Sequence, residues 1–157
     1  MIETRKPIHT GGCQCGAVRY ALFAEPLWSA ICHCRMCQKA FGSYFAPFVA
    51  VKRGQFTWTR GAPKHFASSQ FLQRGFCAQC GTPLSCEAVD GAEISLSAGS
   101  LDRPEKLPPT LQAGIEGRLP WFNEIMALPG KTTQQLAPNG ELDGLENRQH
   151  PDHDTVK

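Results

Sequence analysis

Short apolar stretches separated by glycine and proline dominate the pattern of this chain, which contains 15 Gly and 12 Pro. Stretches of this length, rich in β-branched and aromatic residues, are typical of β-strands. The predicted strands cover residues 17–23, 43–51, 55–59, 71–76, 93–98 and 110–115. No window keeps a 3.6-residue apolar period, so long helices are not expected. One helical turn is predicted over residues 34–40, with Gly42 able to end it, and the fold class is therefore all-β.

The composition changes after Pro129-Gly130. The first part has the apolar content of one domain with a core, and we assign residues 1–130 to it. Residues 131–157 hold few large apolar side chains and are predicted to form a polar C-terminal tail. The acidic and histidine-containing segment 150–154 is interpreted as part of a solvated end rather than as a metal site.

Charge and hydropathy exclude several classes of function. The 16 basic and 14 acidic residues leave a formal net charge of +2, which gives no support to nucleic-acid binding. No segment is long and apolar enough to span a membrane, and the N-terminal residues lack the apolar run of a secretory signal. The sequence thus favours a cytoplasmic protein whose partner is a small molecule.

Eight cysteines carry the clearest chemistry, and four of them form two tight pairs. Cys13 and Cys15 are separated by one residue, and Cys77 and Cys80 by two. Such close neighbours are strained as disulfides, but two pairs converge readily on a tetrahedral zinc ion. Glycines beside both pairs favour the necessary turns. We therefore predict a structural zinc held by these four thiolates.

Three further cysteines, Cys32, Cys34 and Cys37, lie within six residues. They can bind a metal but leave its fourth position open, as in catalytic zinc sites. Alternatively, Cys86 closes the shell and the chain is a non-catalytic binding module with two four-cysteine zincs. We favour the open site, because a lone cysteine in a strand is most often a small core residue. If the backbone is extended at His33, that side chain points away from the cluster.

An open three-thiolate zinc suits sulfur chemistry. Its ligands make it a poor activator of water but allow it to accept a thiol, which it would hold as a nucleophilic thiolate. An aldehyde carbonyl is a fitting electrophile. Arg35 and Lys39, close in sequence, could offset the negative charge of the site or bind a substrate carboxylate, although solvated surface cations are an equally good interpretation.

The cysteines and their flanking residues resemble the glutathione-dependent formaldehyde-activating enzymes. The matching elements are Gly12-Cys13-Gln14-Cys15-Gly16, Cys32 to Lys39, Phe56 to Gly61, Arg74 to Leu84, Gly99-Ser100-Leu101-Asp102 and Arg118-Leu119-Pro120-Trp121. Together they run from Gly12 to about Gly130.

The resemblance implies a β-tent of paired antiparallel sheets stapled by zinc, with very little helix. It implies a structural zinc on Cys13, Cys15, Cys77 and Cys80, and a catalytic zinc on Cys32, Cys34 and Cys37. The implied reaction condenses glutathione with formaldehyde, a carbon-sulfur lyase reaction in reverse, or joins another small thiol to a small aldehyde. Basic residues available by type for the carboxylates of glutathione are Lys52, Arg53, Arg60, Arg74 and Arg118.

Overall fold

The computed structural model describes residues 5–156 as ten strands in two sheets with little helix. The first four residues of the N-terminal segment and the last residue of the predicted tail lie outside the described part. The strands are β1 (His9–Gly12), β2 (Arg19–Leu22), β3 (Trp28–Cys32), β4 (Ala46–Lys52), β5 (Phe56–Arg60), β6 (Lys64–Ala67), β7 (Leu72–Phe76), β8 (Pro83–Ala88), β9 (Glu93–Ser97) and β10 (Leu111–Ala113). The α-helices are α1 (Arg35–Phe41) and α2 (Thr133–Leu136).

The larger sheet has seven strands in the order β10-β3-β4-β9-β8-β7-β6. All its pairs are antiparallel except β10 and β3, which run parallel at one edge. The smaller sheet has three antiparallel strands in the order β1-β2-β5. The prediction of an all-β fold built from two sheets is confirmed, with the parallel edge pair as a departure from a wholly antiparallel pattern.

The main core contains residues from both sheets. Tyr20 and Leu22 come from β2 of the smaller sheet, while Val49, Val51 and Leu96 come from β4 and β9 of the larger one, and all are at most 1% exposed. Each set follows the two-residue period of a strand, so one face of each strand supplies the core. Burying an aliphatic side chain of this size contributes about 1.5 to 3 kcal/mol.

Helix α1 forms where the sequence predicts a helical turn. The Sγ of Cys34 accepts a hydrogen bond from the backbone N–H of Cys37 at 3.4 Å, which caps the first turn. Gly42 ends the helix with φ 59°, a left-handed conformation that favours glycine. Phe41 packs edge-on against Phe48 of β4, with ring centroids 5.2 Å apart, and this contact seats the helix on the larger sheet.

Each predicted strand overlaps an observed one, in β2, β4, β5, β7, β9 and β10. β8 contains Cys86, which was expected to lie in a strand, and the remaining three strands were missed for local reasons. β1 and β6 contain few apolar residues, and pairing with neighbouring strands forms them. β3 ends at Cys32, and this segment was interpreted as part of the metal-binding cluster rather than as a strand.

The end of the chain returns to the smaller sheet. Most of residues 131–148 are exposed, but the backbone N–H of His150 donates to the carbonyl of Gln14 at 2.7 Å. Asp154 accepts hydrogen bonds from Arg19, and the carbonyl of Thr155 accepts one from Arg60. Residues 151–154 are nevertheless exposed, and both the polar C-terminal tail and the domain boundary at residue 130 stay predictions.

Candidate functional site

Two loops bring the first cysteine cluster together. Cys13 and Cys15 follow β1, and Cys77 and Cys80 follow β7. Their four Sγ atoms all lie within 4.8 Å of one another. The Sγ atoms of Cys13 and Cys15 are 3.6 Å apart, and those of Cys15 and Cys77 are 3.8 Å apart. Four sulfurs at 2.3 Å from a tetrahedral zinc would be separated by about 3.8 Å, so this donor set fits the ion.

Backbone groups and a threonine support these sulfurs. The N–H groups of Val18 and Gln79 donate to Cys13 and Cys77 at 3.2 and 3.4 Å. Thr82 connects the two loops, because its Oγ1 accepts from Gln14 N at 3.1 Å and lies 3.2 Å from the Sγ of Cys80. Sequence reasoning missed this role of Thr82.

The pKa values of two of these cysteines move in opposite directions. Burial raises the pKa of Cys80, but hydrogen bonds with Thr82 lower it by more than that, and the resulting pKa is about 6. Burial raises the pKa of Cys13 to about 12 against the hydrogen bond from Val18. Metal binding requires the thiolate form, so the ion itself must supply the stabilisation that Cys13 lacks.

The second cluster is assembled from a short piece of chain. Cys32 ends β3 opposite Ala46, Cys34 caps α1, and Cys37 lies in its first turn. Their three Sγ atoms all lie within 4.8 Å of one another. Cys37 is buried, whereas Cys32 and Cys34 are partly exposed. One side of the cluster is therefore closed by the protein and the other reaches the surface.

Cys86 packs beside this cluster without joining it. It lies on β8 opposite Arg74 of β7 and contacts the small core patch around Cys37, Ala46 and Phe48. Within residues 5–156, the group of sulfurs close enough to share one ion contains Cys32, Cys34 and Cys37 but not Cys86. Burial also raises the pKa of the Cys86 thiol, which favours its neutral form.

His33 faces away from the cluster, as extended backbone predicts. Its ring is fully buried, its Nε2 lies 2.9 Å from Oε1 of Gln112, and it packs edge-on against Phe122 with centroids 4.5 Å apart. The side chain amide of Gln38 donates to the carbonyls of His33 and Gly117 at 2.9 and 3.0 Å. His33 thus helps to hold the cluster loop in place and does not belong to the group of side chains that could share a metal ion.

Two glycines after β10 allow the chain to pass close to this loop. A Cβ at Gly114 would lie 2.8 Å from the backbone nitrogen of Cys34, and one at Gly117 would lie 2.7 Å from the carbonyl oxygen of His33. Gly114 also has φ 60°. The segment after β10 therefore packs closely against the Cys32–Cys34 loop, a contact that no local sequence pattern predicts.

The structure shows which of the candidate basic residues lie near the second cluster and which lie elsewhere. Arg74 is buried and its Nη2 donates to the Sγ of Cys37 at 3.4 Å, while Lys39 lines a cavity beside α1. Arg53 pairs with Glu87, and Arg60 contacts the C-terminal tail. Arg35 is exposed and reaches Gln38 on its own helix.

A cavity of about 430 Å³ lies beside helix α1, and Arg74, which donates to the Sγ of Cys37, is one of its lining residues. Helix α1 forms one wall, and strands β6, β7 and β8 form the other. The lining side chains are mostly apolar, with Met36, Phe41, Phe66 and Phe76 among them, and Lys39, Arg74 and Ser85 supply polar groups. An apolar cleft with a few polar groups next to a reactive cluster is typical of a small-molecule site.

A sequence profile of the glutathione-dependent formaldehyde-activating enzymes matches residues 8–115, which include all eight cysteines. The chain belongs to this family. The family match thus spans both clusters, the strands that present them and the Arg74-to-Cys37 contact. It ends before the segment that backs the cluster loop is complete, and before the C-terminal tail.

Two individual proteins show more limited similarity. An uncharacterized lyase of Schizosaccharomyces pombe is 35% identical over 86 residues, which are 54% of this chain and 61% of that protein. The chain therefore spans less than two thirds of the length of this curated relative. A crystal structure of a Rhodobacter sphaeroides protein is 22% identical with a TM-score of 0.47, covering 58% of this chain and 85% of that one. Over residues 5–156, the structure contains no helix with the length and hydropathy needed to cross a membrane.

Proposed function

We propose that this member of the glutathione-dependent formaldehyde-activating enzyme family condenses glutathione with formaldehyde. The glutathione thiol loses its proton, its sulfur bonds to the carbonyl carbon as the carbonyl π bond breaks, and the oxygen takes up a proton, which gives S-hydroxymethylglutathione. Cys32, Cys34 and Cys37 would hold a catalytic zinc. Cys13, Cys15, Cys77 and Cys80 would hold a structural zinc.

One observation carries this proposal most directly. Three sulfurs gather within 4.8 Å of one another, two of them partly exposed, and Arg74 links the buried one to a cavity of about 430 Å³. A zinc ion held by three protein ligands would offer its free position to the substrate thiol and favour the thiolate at neutral pH. A closed structural site has no need of such a cavity.

The residues around the cavity have separable tasks in this proposal. Helix α1, which carries Cys37, forms one wall of the cavity in which the thiol would bind. The ammonium of Lys39 is exposed at the cavity and would bind a glutathione carboxylate. Met36 and Phe66 present apolar surface that would limit water near the adduct.

Exchange spectroscopy by NMR tests the proposal, because it measures interconversion of glutathione and S-hydroxymethylglutathione at equilibrium. The parent protein with two zincs is expected to accelerate exchange above the uncatalysed rate in matched buffer. C37S, with its structural zinc retained, is expected to return the rate to that background. Equal rates for the parent, C37S and buffer would refute glutathione–formaldehyde condensation by this site.

A further inference from the structure

Arg74 is a buried arginine without a carboxylate partner. It lies in the middle of β7 with 8% of its surface exposed, and no aspartate or glutamate of residues 5–156 forms an ion pair with it. By contrast, Arg19 pairs with the buried carboxylate of Asp102, and Arg53 pairs with that of Glu87. A buried cation requires a compensating negative charge, so Arg74 must find its partner elsewhere.

Among residues 5–156, the side-chain acceptor to which Arg74 donates is a cysteine sulfur. Its Nη2 donates to the Sγ of Cys37 at 3.4 Å. Nε and Nη1 are enclosed and have no hydrogen-bond partner among the described residues. The chain thus places a permanent cation against the second cluster and supplies no carboxylate to neutralise it.

The charges of the proposed site balance when this arginine is included. Three thiolates and one divalent ion leave a net charge of −1, and the guanidinium brings the sum to zero. Arg74 therefore offsets the negative charge that three thiolates would leave on the ion.

We infer that Arg74 is a positioning residue that orients the Cys37 sulfur toward a bound metal ion and neutralises the three-cysteine site. This inference rests on the proposed function and deepens it, since it assigns the charge control of the same site. The sequence pointed to Arg35 and Lys39 for this task because they are close in the chain. Arg74 lies 37 residues from Cys37 and reaches it through the pairing of β7 with β8.

A charge-assisted hydrogen bond to a thiolate affects both the binding of the metal and the electronic energy of the sulfur. Cobalt(II) is a suitable probe because its sulfur-to-metal charge-transfer band reports on that energy. R74Q removes the charge at nearly constant polarity, R74K keeps a charge without the planar fork, and R35Q is the matched control at an exposed arginine of α1. Each variant is titrated with cobalt after the structural site has been filled with zinc.

R74Q is expected to weaken cobalt binding at the second cluster by about 10- to 100-fold, the usual effect of losing a hydrogen-bond partner of a metal ligand. Its charge-transfer band should move to longer wavelength, since a thiolate without the cation is easier to oxidise. R74K should change both in the same direction by a smaller amount, and R35Q should leave both unchanged. The band shift distinguishes a direct effect on sulfur from a general loss of stability.

Parent-like affinity and band position in R74Q would overturn the inference while leaving the proposed function intact. If R74Q fails to fold, R74K decides, and a parent-like band together with parent-like affinity in R74K overturns the inference as well. A parent protein that binds no second metal ion would overturn both the inference and the proposed function.

Discussion

The guanidinium of Arg19 donates two parallel hydrogen bonds to the carboxylate of Asp102, at 2.8 and 2.6 Å, across 83 residues of sequence. Both side chains are almost fully enclosed, at 3% and 6% exposed. Asp102 also accepts from the hydroxyl of Thr10 on β1. The pair therefore ties β1 and β2 of the smaller sheet to the chain that follows β9.

D102N should destabilise the fold strongly, because it leaves the Arg19 charge enclosed with only the half-exposed Asp154 beside it. Breaking a buried pair in this way costs about 3 to 5 kcal/mol of unfolding free energy. Urea unfolding of the zinc-loaded protein measures the loss. E105Q, which removes a charge from the exposed Arg103–Glu105 pair, is the control and should change stability by less than about 0.5 kcal/mol. A D102N protein as stable as E105Q would contradict this role.

The same pair predicts a pH dependence. Burial raises the pKa of Asp102, but hydrogen bonds from Arg19 and Thr10 and the charge of Arg19 outweigh it, so the folded-state pKa lies below its usual range. A lowered folded pKa gives stability that is full above the unfolded value of about 3.9 and disappears as pH falls through the folded value.

The difference in unfolding free energy between parent and D102N should therefore be constant above about pH 5 and shrink below about pH 4. Loss of zinc in acid affects both proteins and cancels in the difference. Denaturant unfolding at a series of pH values measures it. A difference that widens as the pH falls would show that Asp102 is not held as a carboxylate in the fold.

C37S and C86S should separate an open second site from a closed one. C37S is expected to reduce the zinc content from about two to about one per chain, since a three-ligand site cannot spare a thiolate. C86S is expected to keep both ions and to cost about 1 to 2 kcal/mol for burying a hydroxyl. Metal analysis after gel filtration gives the stoichiometry. Loss of one zinc in C86S as complete as in C37S would establish the closed, non-catalytic module instead.

C80S should prevent folding, because this ligand belongs to the cluster that joins the two loops and metal binding there is coupled to folding. The variant is expected to give insoluble protein or to lose its cooperative unfolding transition. C86S serves as the control, since it makes the same chemical change in a cysteine outside that cluster. A cooperative C80S protein with two zincs would contradict the structural assignment.

Removal of residues 149–157 should lower stability by about 1 to 3 kcal/mol, through the lost contacts of His150, Asp154 and Thr155. The midpoint of thermal unfolding would fall by about 2 to 4 °C per kcal/mol. D154N should account for at most about 1 kcal/mol, because Asp154 is half exposed. D152N is the matched control and should have no effect. Unchanged stability after the deletion would show that the tail does not dock in solution.

Local sequence patterns were sufficient for much of the fold and for the grouping of the sulfurs. Helix α1 and its end at Gly42 follow from residues next to one another, and so does the closeness of Cys32, Cys34 and Cys37. Cysteines separated by one or two residues predict that their sulfurs converge on one metal ion, and this prediction needs no knowledge of the sheets, because metal geometry restricts which cysteines can meet.

Features that depend on distant pairing could not be predicted in the same way. Arg74 reaches Cys37 only because β7 pairs with β8 in a register that sets Arg74 opposite Cys86. The parallel pairing of β10 with β3 aligns Ala113 with Cys32 and brings Gly114 against Cys34. Composition alone predicted a solvated tail. The contacts of Asp154 with Arg19 and of Thr155 with Arg60 depend on the folded positions of the two arginines.

The two cysteine clusters differ most in the length of chain that each must close. The second cluster closes within residues 32–37, whereas Cys15 and Cys77 of the first are 62 positions apart. By loop-closure entropy alone, bringing the distant pairs together costs about 2 kcal/mol more in the unfolded chain. During synthesis, the local triad would be complete before Cys77 has left the ribosome. The four-cysteine site could acquire a metal only when the two sheets meet, so metal binding there would belong to a later step of folding.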